Sequence, residues 1–172
     1  MAQKHLILVR HGDAENPSLK IIGNDLSRKL TSVGITKIKR LSKFLEEENI
    51  HFDKIITSHS CRTFQTAEIL AENLKFNKDL IDKNKLLYNC TIKNYTDIIE
   101  NVSSDINNIL LVGHSPTITE FGEYLVGKPI GHLQPGGIIF IKLGNIEWKK
   151  IHKREGKLLF AKNFLQDTLK LA

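Results

Sequence analysis

Four consecutive apolar residues, Leu6 to Val9, run straight into Arg10, His11, Gly12 and Asp13, and this stretch limits the possible folds more than any other. A continuous rather than alternating apolar run of this length is the pattern of a strand buried on both faces, so helices must cover it above and below. Its abrupt polar end marks the carboxyl edge of the strand. In open α/β sheets the ligand crevice lies outside that edge, which puts Arg10 and His11 where chemistry is usually found. Gly12 lacks a Cβ and lets the backbone turn sharply or approach a ligand closely.

Two later stretches repeat the design. Phe52 to Thr57, centred on Ile55 and Ile56, reads as a second strand and ends in Ser58, His59 and Ser60. Ile109 to Val112 reads as another and ends in Gly113, His114, Ser115 and Pro116. Between them the apolar period is helical. Thr31 can cap a helix with Ile35, Ile38, Leu41 and Leu45 on one face. Ser60 can cap a second, Cys61 to about Leu74, with Phe64, Ala67, Leu70, Ala71 and Leu74 inward. Ser115 as cap with Pro116 at the first helical position opens a third through Ile118, Phe121 and Leu125. Strands alternating with helices predict an α/β fold, a three-layer sandwich with a mostly parallel central sheet flanked by helices.

The remaining segments are less regular. Ala14 to Lys29 has no clear period and reads as a loop. In Lys75 to Asn108 a short extended piece falls near Leu80 to Leu87 and a helix near Tyr95 to Val102. Ile138 to Leu143 and Ile146 to His152, separated by Gly144-Asn145, read as a β-hairpin with Trp148 on the second arm. The tail from Gly156 through Leu158, Phe160, Phe164 and Leu165 is either helical or docked.

A chain of 172 residues can bury a sufficient core as one domain, 1–172, without disulfides or a structural metal. Cys61 and Cys90 form neither a C-x-x-C pair nor a disulfide framework, and no stretch resembles a signal peptide or a membrane span, so a cytoplasmic location is expected. The net charge of +6 attracts anions, which admits phosphate esters, phosphoproteins, nucleic acids and anionic membranes. The late basic cluster, Lys149, Lys150, Lys153, Arg154 and Lys157, lacks interleaved aromatics and reads as a solvated face, which makes nucleic acid an unfavoured partner. His5, His51, His132 and His152 lie singly, without metal-ligand spacing, and His59-Ser60-Cys61 lacks two further ligands for zinc. No metal and no cofactor are expected.

Parallel strands place their carboxyl ends on one edge, so Arg10, His11, Ser58, His114 and, one turn into a helix, Arg62 can converge. Two Arg and two His around one point suit a compact dianion. Phosphoryl transfer fits this inventory, because its transition state spreads charge over three equatorial oxygens and needs chiefly positioning and electrostatic stabilisation. His11 would be the nucleophile, forming a phosphohistidine that water hydrolyses, with Arg10, Arg62 and a protonated His114 stabilising charge.

Arg10-His11-Gly12 after a strand, Ser58 through Arg62-Thr63-Phe64-Gln65-Thr66-Ala67, and Gly113-His114-Ser115-Pro116 together resemble, in order, spacing and context, the three signatures of the histidine phosphatase superfamily, the phosphoglycerate mutase-like fold. The resemblance runs from about Lys4 to Leu125. Within it the chain is most similar to the SixA-type phosphohistidine phosphatases, which are small, often carry Asp after Arg-His-Gly as Asp13 does here, and show an Arg-x-Leu-Thr stretch like Arg28-Lys29-Leu30-Thr31. The resemblance implies a nucleophilic His11, a phosphate pocket from Arg10, Arg62 and His114 with Gly12, Arg28 and Ser58 as binding residues, and no metal.

Only 33 residues, 76 to 108, separate the second helix from the strand at Ile109, too few for a helical cap domain, so the pocket should be open to a phosphoryl group on another protein. In this stretch the mutase and ester-phosphatase branches commonly place a Glu general acid; here Leu86-Leu87-Tyr88-Asn89-Cys90 stands instead. An alkoxide leaving group needs a proton, whereas a phosphohistidine whose second ring nitrogen is protonated leaves as neutral imidazole. Asp13 and Glu15 read either as the acid or as loop carboxylates that orient an Arg, and Tyr88 as a partly buried aromatic. The expectation is a phosphohistidine phosphatase acting on a phosphorylated protein such as a histidine phosphotransfer domain. The alternatives are a broader phosphomonoesterase for small metabolites and a non-catalytic phosphoprotein-binding module.

Overall fold

The computed structural model describes residues 2–16, 25–151 and 156–164. Strands β1 (Lys4–Arg10), β2 (Lys54–Ser58), β3 (Asp82–Asn84), β4 (Asn108–Gly113), β5 (Ile138–Gly144) and β6 (Lys157–Lys162) form one sheet in the order β3-β2-β4-β1-β5-β6. The pairs β3-β2, β2-β4 and β4-β1 are parallel, while β1-β5 and β5-β6 are antiparallel. Helices α1 (Ser32–Glu47), α2 (Cys61–Asn73), α3 (Ile92–Glu100) and α4 (Thr117–Val126) complete the described elements.

Successive residues of a strand point to opposite faces, and here both faces are covered. Ile7, Val9, Ile55, Leu110 and Val112 pack with Ile38, Leu41 and Leu45 of α1 and Ala67, Leu70 and Ala71 of α2. Leu6, Leu8, Ile56, Ile109 and Leu111 pack with Tyr95 and Ile99 of α3 and Ile118, Phe121 and Leu125 of α4. The result is the expected three-layer α/β sandwich of the phosphoglycerate mutase-like kind. Residues 76–108 hold only β3, α3 and two 3-10 turns; α3 packs beside α4 on a face of the sheet, not over its carboxyl edge.

Thr31 and Ser60 cap α1 and α2 as expected, their side chains accepting from the N–H groups of Gly34 and Thr63. On α1 the buried stripe is Ile38, Leu41 and Leu45 with Gly34 and Ser42, while Ile35 is exposed. The third helix departs from expectation: its cap position is Pro116, with no side-chain cap from Ser115. Helix α3 begins three residues earlier than its apolar period suggests, where Asn94 Oδ1 accepts from Thr91 N at 2.9 Å. The extended piece near Leu80 to Leu87 is mostly 3-10 turn, Lys78–Leu80 and Lys85–Leu87, around the three residues of β3.

The hairpin at Gly144-Asn145 is not formed. The partner of β5 is β6, Lys157–Lys162, a segment expected to be helical or docked. Trp148 is the physical reason. It lies in a 3-10 turn, 1% exposed in the α3/α4 core, with Nε1 donating to the Ile106 carbonyl at 2.8 Å, and this anchor takes the chain away from the strand direction. Lys149 and Lys150 are exposed on that turn; His152, Lys153, Arg154 and Leu165 lie outside the described residues. No helix among the described residues is long and apolar enough to cross a membrane.

Candidate active site

The register aligns Arg10 with Gly113 and Thr57 with Val112, so β1, β2 and β4 end level with one another. Arg10, His11, Ser58 and His114 thereby meet at one edge, and Ser60 starts α2 so that Arg62, 5% exposed, reaches the same place. They border a cleft of about 380 Å³ that Arg28, Asp13 and Asn89 also line. A larger cleft of about 610 Å³, between β2, β3 and α3, is lined by Asp53, Asp82, Asp97 and Asp105 and contains neither Arg nor His. Its charge is wrong for an anion, and the smaller cleft is the candidate site.

Donor chemistry fixes the tautomer of each histidine. His11 Nδ1 lies 2.7 Å from the Gly12 carbonyl and must carry its hydrogen. Arg62 Nε, which can only donate, lies 3.3 Å from His11 Nε2, so Nε2 offers its lone pair to the cleft. Burial first, and then the Arg62, Arg10 and Arg28 charges, push the His11 pKa down to about 4 against the opposing Gly12 hydrogen bond. The imidazole is neutral at physiological pH.

His114 Nδ1 faces Arg62 Nη2 at 3.4 Å and accepts, so its Nε2–H donates to Ser58 Oγ at 3.1 Å. Burial, His11 and Arg62 lower the His114 pKa to about 3, although Asp25 acts the other way. The protonated His114 expected from the sequence is thus disfavoured in these surroundings, since a further positive charge is costly beside three guanidinium groups. Only an added anion makes it affordable. The His11 and His114 rings meet edge-on, 5.2 Å between centroids.

Arg10 donates from Nη1 to the Leu133 carbonyl at 2.8 Å, and its backbone is bound to Gly136 and Gly137. Its Nε is buried with no protein acceptor among the described residues. Gly12 turns its N–H to Thr66 Oγ1 at 3.1 Å rather than to the cleft, and a Cβ there would stand 3.0 Å from the Gly34 carbonyl; its part is close packing. Ser58 orients His114. Arg28 lines the rim, its Nε bound to Asp25 Oδ1 and its Nη1 to the Glu15 carbonyl, each at 2.7 Å.

Asp13 Oδ2 pairs with Lys37 Nζ at 2.8 Å. Glu15 Oε2 accepts from Lys29 N at 3.1 Å and lies outside the cleft. Tyr88 is no mere packed aromatic: its O–H donates to Asp25 Oδ2 at 2.7 Å and its ring lies 5.7 Å from that of His114. His59 packs edge-on to Tyr88 at 5.5 Å and does not line the cleft.

Asp25 is the residue that the sequence reading missed. It stands in a 3-10 turn, Asp25–Ser27, within a segment read as plain loop. Arg62 Nη2 donates to its Oδ2 at 2.9 Å and Arg62 Nη1 to its carbonyl at 2.7 Å. Burial opposes its charge, but hydrogen bonds from Tyr88, Arg28 and Arg62 outweigh that and hold the carboxyl well below the usual range. The i, i+3 spacing of Asp25 and Arg28 was the available signal. Among the described residues no group of three or more His, Cys, Asp or Glu side chains is arranged to hold a metal ion.

Two histidines and two arginines at the ends of three parallel strands define a phosphatase-type site, and the chain belongs to the histidine phosphatase superfamily. The model of its branch 1 matches residues 6–86. A mitochondrial serine/threonine-protein phosphatase Pgam5 of Drosophila mojavensis is 36% identical over 75 residues, 44% of this chain and 25% of that protein, so the match spans about a quarter of the curated relative. An uncharacterised protein of Picosynechococcus sp. is 29% identical over 148 residues, covering 81% of this chain and 85% of its own length. In fold the chain is similar to a Nakamurella multipartitia protein assigned to the SixA phosphohistidine phosphatases, with TM-score 0.78, 20% identity and coverage of 95% and 97%. It is equally similar to the protein histidine phosphatase SixA complexed with tungstate, with TM-score 0.78, 16% identity and coverage of 92% and 96%.

Proposed function

We propose that the protein is a phosphohistidine phosphatase whose nucleophile is His11. One observation carries the choice of substrate: no carboxyl group at the cleft is free to protonate a leaving group. Asp13 is paired with Lys37, Glu15 is bound to Lys29 N outside the cleft, and Asp25 is held ionised by two arginines and Tyr88. An ester's alkoxide would leave unassisted, at great cost. An imidazole leaving group protonated at its other ring nitrogen departs as a neutral molecule. Transfer from one imidazole to another also exchanges like bonds, so little driving force is lost.

In the first step the Nε2 lone pair of His11 attacks phosphorus while the P–N bond to the substrate imidazole breaks, its electron pair going to the departing nitrogen. Nδ1–H stays on the Gly12 carbonyl throughout. Arg10, Arg62 and a His114 that takes up a proton as negative charge arrives stabilise the equatorial oxygens. Water then attacks phosphorus, the P–N bond to His11 breaks, and dihydrogen phosphate leaves and equilibrates with solvent. The open carboxyl edge, the +6 charge and the SixA-like fold support a phosphorylated protein as substrate. A location in the cytoplasm belongs to the same proposal.

Purified protein is offered a phosphohistidine-bearing protein, an aryl phosphate and sugar phosphates in parallel. The expected result is preferential release of phosphate from phosphohistidine, with an acid-labile phosphoenzyme absent in His11→Ala. Turnover of esters with none of phosphohistidine would establish the broad phosphomonoesterase instead, and tight binding of phosphoprotein without release would establish a binding module.

A further inference from the structure

Arg62 stands between Asp25 and the two cleft histidines, and its guanidinium is held from one side. Nη1 meets the Asp25 carbonyl at 2.7 Å and Nη2 meets Asp25 Oδ2 at 2.9 Å, so a single residue closes that edge of the planar group. The opposite edge, Nε and Nη2, faces His11 Nε2 at 3.3 Å and His114 Nδ1 at 3.4 Å. These contacts are long, and phosphoryl oxygens can replace them. The Asp25 carboxylate is itself fixed at both oxygens, by the Tyr88 O–H on Oδ2 at 2.7 Å and by Arg28 Nε on Oδ1 at 2.7 Å. It therefore ties the 3-10 turn to α2 and to the segment that follows β3.

Resting on the reading of the cleft as a phosphoryl-transfer centre, we infer that Asp25 is a positioning residue that presents the Nε edge of Arg62 to a phosphoryl group between His11 and His114. A two-point contact sets the plane of a guanidinium where one contact leaves it free to rotate. A carboxylate this close to an anion site repels any bound dianion, so it weakens the ground-state complex. What it supplies is a fixed donor edge aimed at the oxygens as they spread into the equatorial plane, an interaction that grows in the transition state. A competing explanation is that Asp25 merely occupies the anion site until substrate displaces it. The two differ in sign: removing a competitor strengthens anion binding and leaves turnover intact or faster, whereas removing a positioner slows turnover.

The experiment compares wild type with Asp25→Asn, and with Asp25→Ser as a second variant, in turnover of a phosphohistidine-bearing protein and in inhibition by orthovanadate and orthophosphate. The Asp25 side chain is 41% exposed, so circular dichroism and thermal melts should show folded variants. The expected result is a fall in kcat of about tenfold or more with KM changed by less than about threefold. Orthovanadate, which adopts the five-coordinate geometry, weakens in parallel with kcat, while orthophosphate binds equally well or more tightly. A purely structural role lowers all three together and overturns the inference. Tighter binding of both anions with kcat preserved also overturns it, in favour of the competitor. A wild type that turns over phosphohistidine with variants indistinguishable from it overturns this inference alone. A wild type with neither turnover nor vanadate binding overturns the proposed function as well.

Discussion

His11 can attack only through a nitrogen that carries no proton, and its surroundings secure that over a wide range. The Gly12 carbonyl holds the hydrogen on Nδ1, and burial with three arginines nearby keeps the ring neutral down to about pH 4. A free histidine would lose its nucleophilicity below about pH 6.5. The acid limb of kcat/KM should therefore lie near pH 4 to 5, and an enzyme losing activity with a midpoint near 6.5 would show that His11 is not so shielded. Arg10, His11, Arg62 and His114 were readable because each stands at a fixed offset from a strand end or helix cap, where apolar runs give the register. Asp25 was not readable, since its position depends on how a loop of no period folds back over α2. Nor was the charge of His114, which depends on a sum of burial and neighbouring charges that no spacing records.

Among the elements, the approach of α1 to the turn after β1 is the tightest fit around the cleft. The Asp13 carbonyl accepts from Thr31 N at 2.9 Å and from Thr31 Oγ1 at 3.2 Å, which draws the first turn of α1 against it. A Cβ on Gly34 would fall 2.1 Å from the Asp13 carbonyl oxygen. Gly34→Ala must push the helix and the Asp13 turn apart, although alanine favours helices by about 1 kcal/mol. The steric cost, of order 1–3 kcal/mol for overpacking, should outweigh that gain, and chemical denaturation should show lower stability together with reduced phosphatase turnover. Gly122→Ala on α4 is the comparison: its Cβ would meet only side-chain ends, at 3.2 Å and beyond, so its effect should be much smaller. Equal stability of Gly34→Ala and wild type would mean the contact relaxes freely. The helices over the sheet were legible from period and caps. The last strand was not, because β6 lies at the sheet edge with Lys157, Leu159, Ala161 and Lys162 exposed, and a half-covered edge strand leaves no alternation strong enough to compete with a Gly-Asn turn signal.

For the molecule as a whole, an anion site made of buried bases ties stability to pH. His11 and His114 have folded pKa values of about 4 and about 3, against about 6.5 when the chain is unfolded. Between those limits the unfolded chain binds protons that the native state does not, so stability is fully present above about pH 6.5 and is lost as pH falls toward 4. Each histidine should contribute about 2 kcal/mol of this loss by pH 5. Asp25, whose pKa is also depressed, contributes in a different window, below about pH 4 where carboxylates protonate, so the two effects separate on the pH axis. A dianion in the cleft reverses the sign for the histidines, since it favours their charged forms and binds only the folded protein. Thermal melts from about pH 8 to pH 4.5 should thus show a Tm that declines below pH 6.5. Millimolar orthophosphate should raise that Tm by more at pH 5 than at pH 8, and His11→Asn with His114→Asn should flatten the decline. A Tm indifferent to pH between 7 and 5, or a phosphate effect that survives intact in the double variant, would place the anion site and the proton linkage somewhere other than at these two histidines.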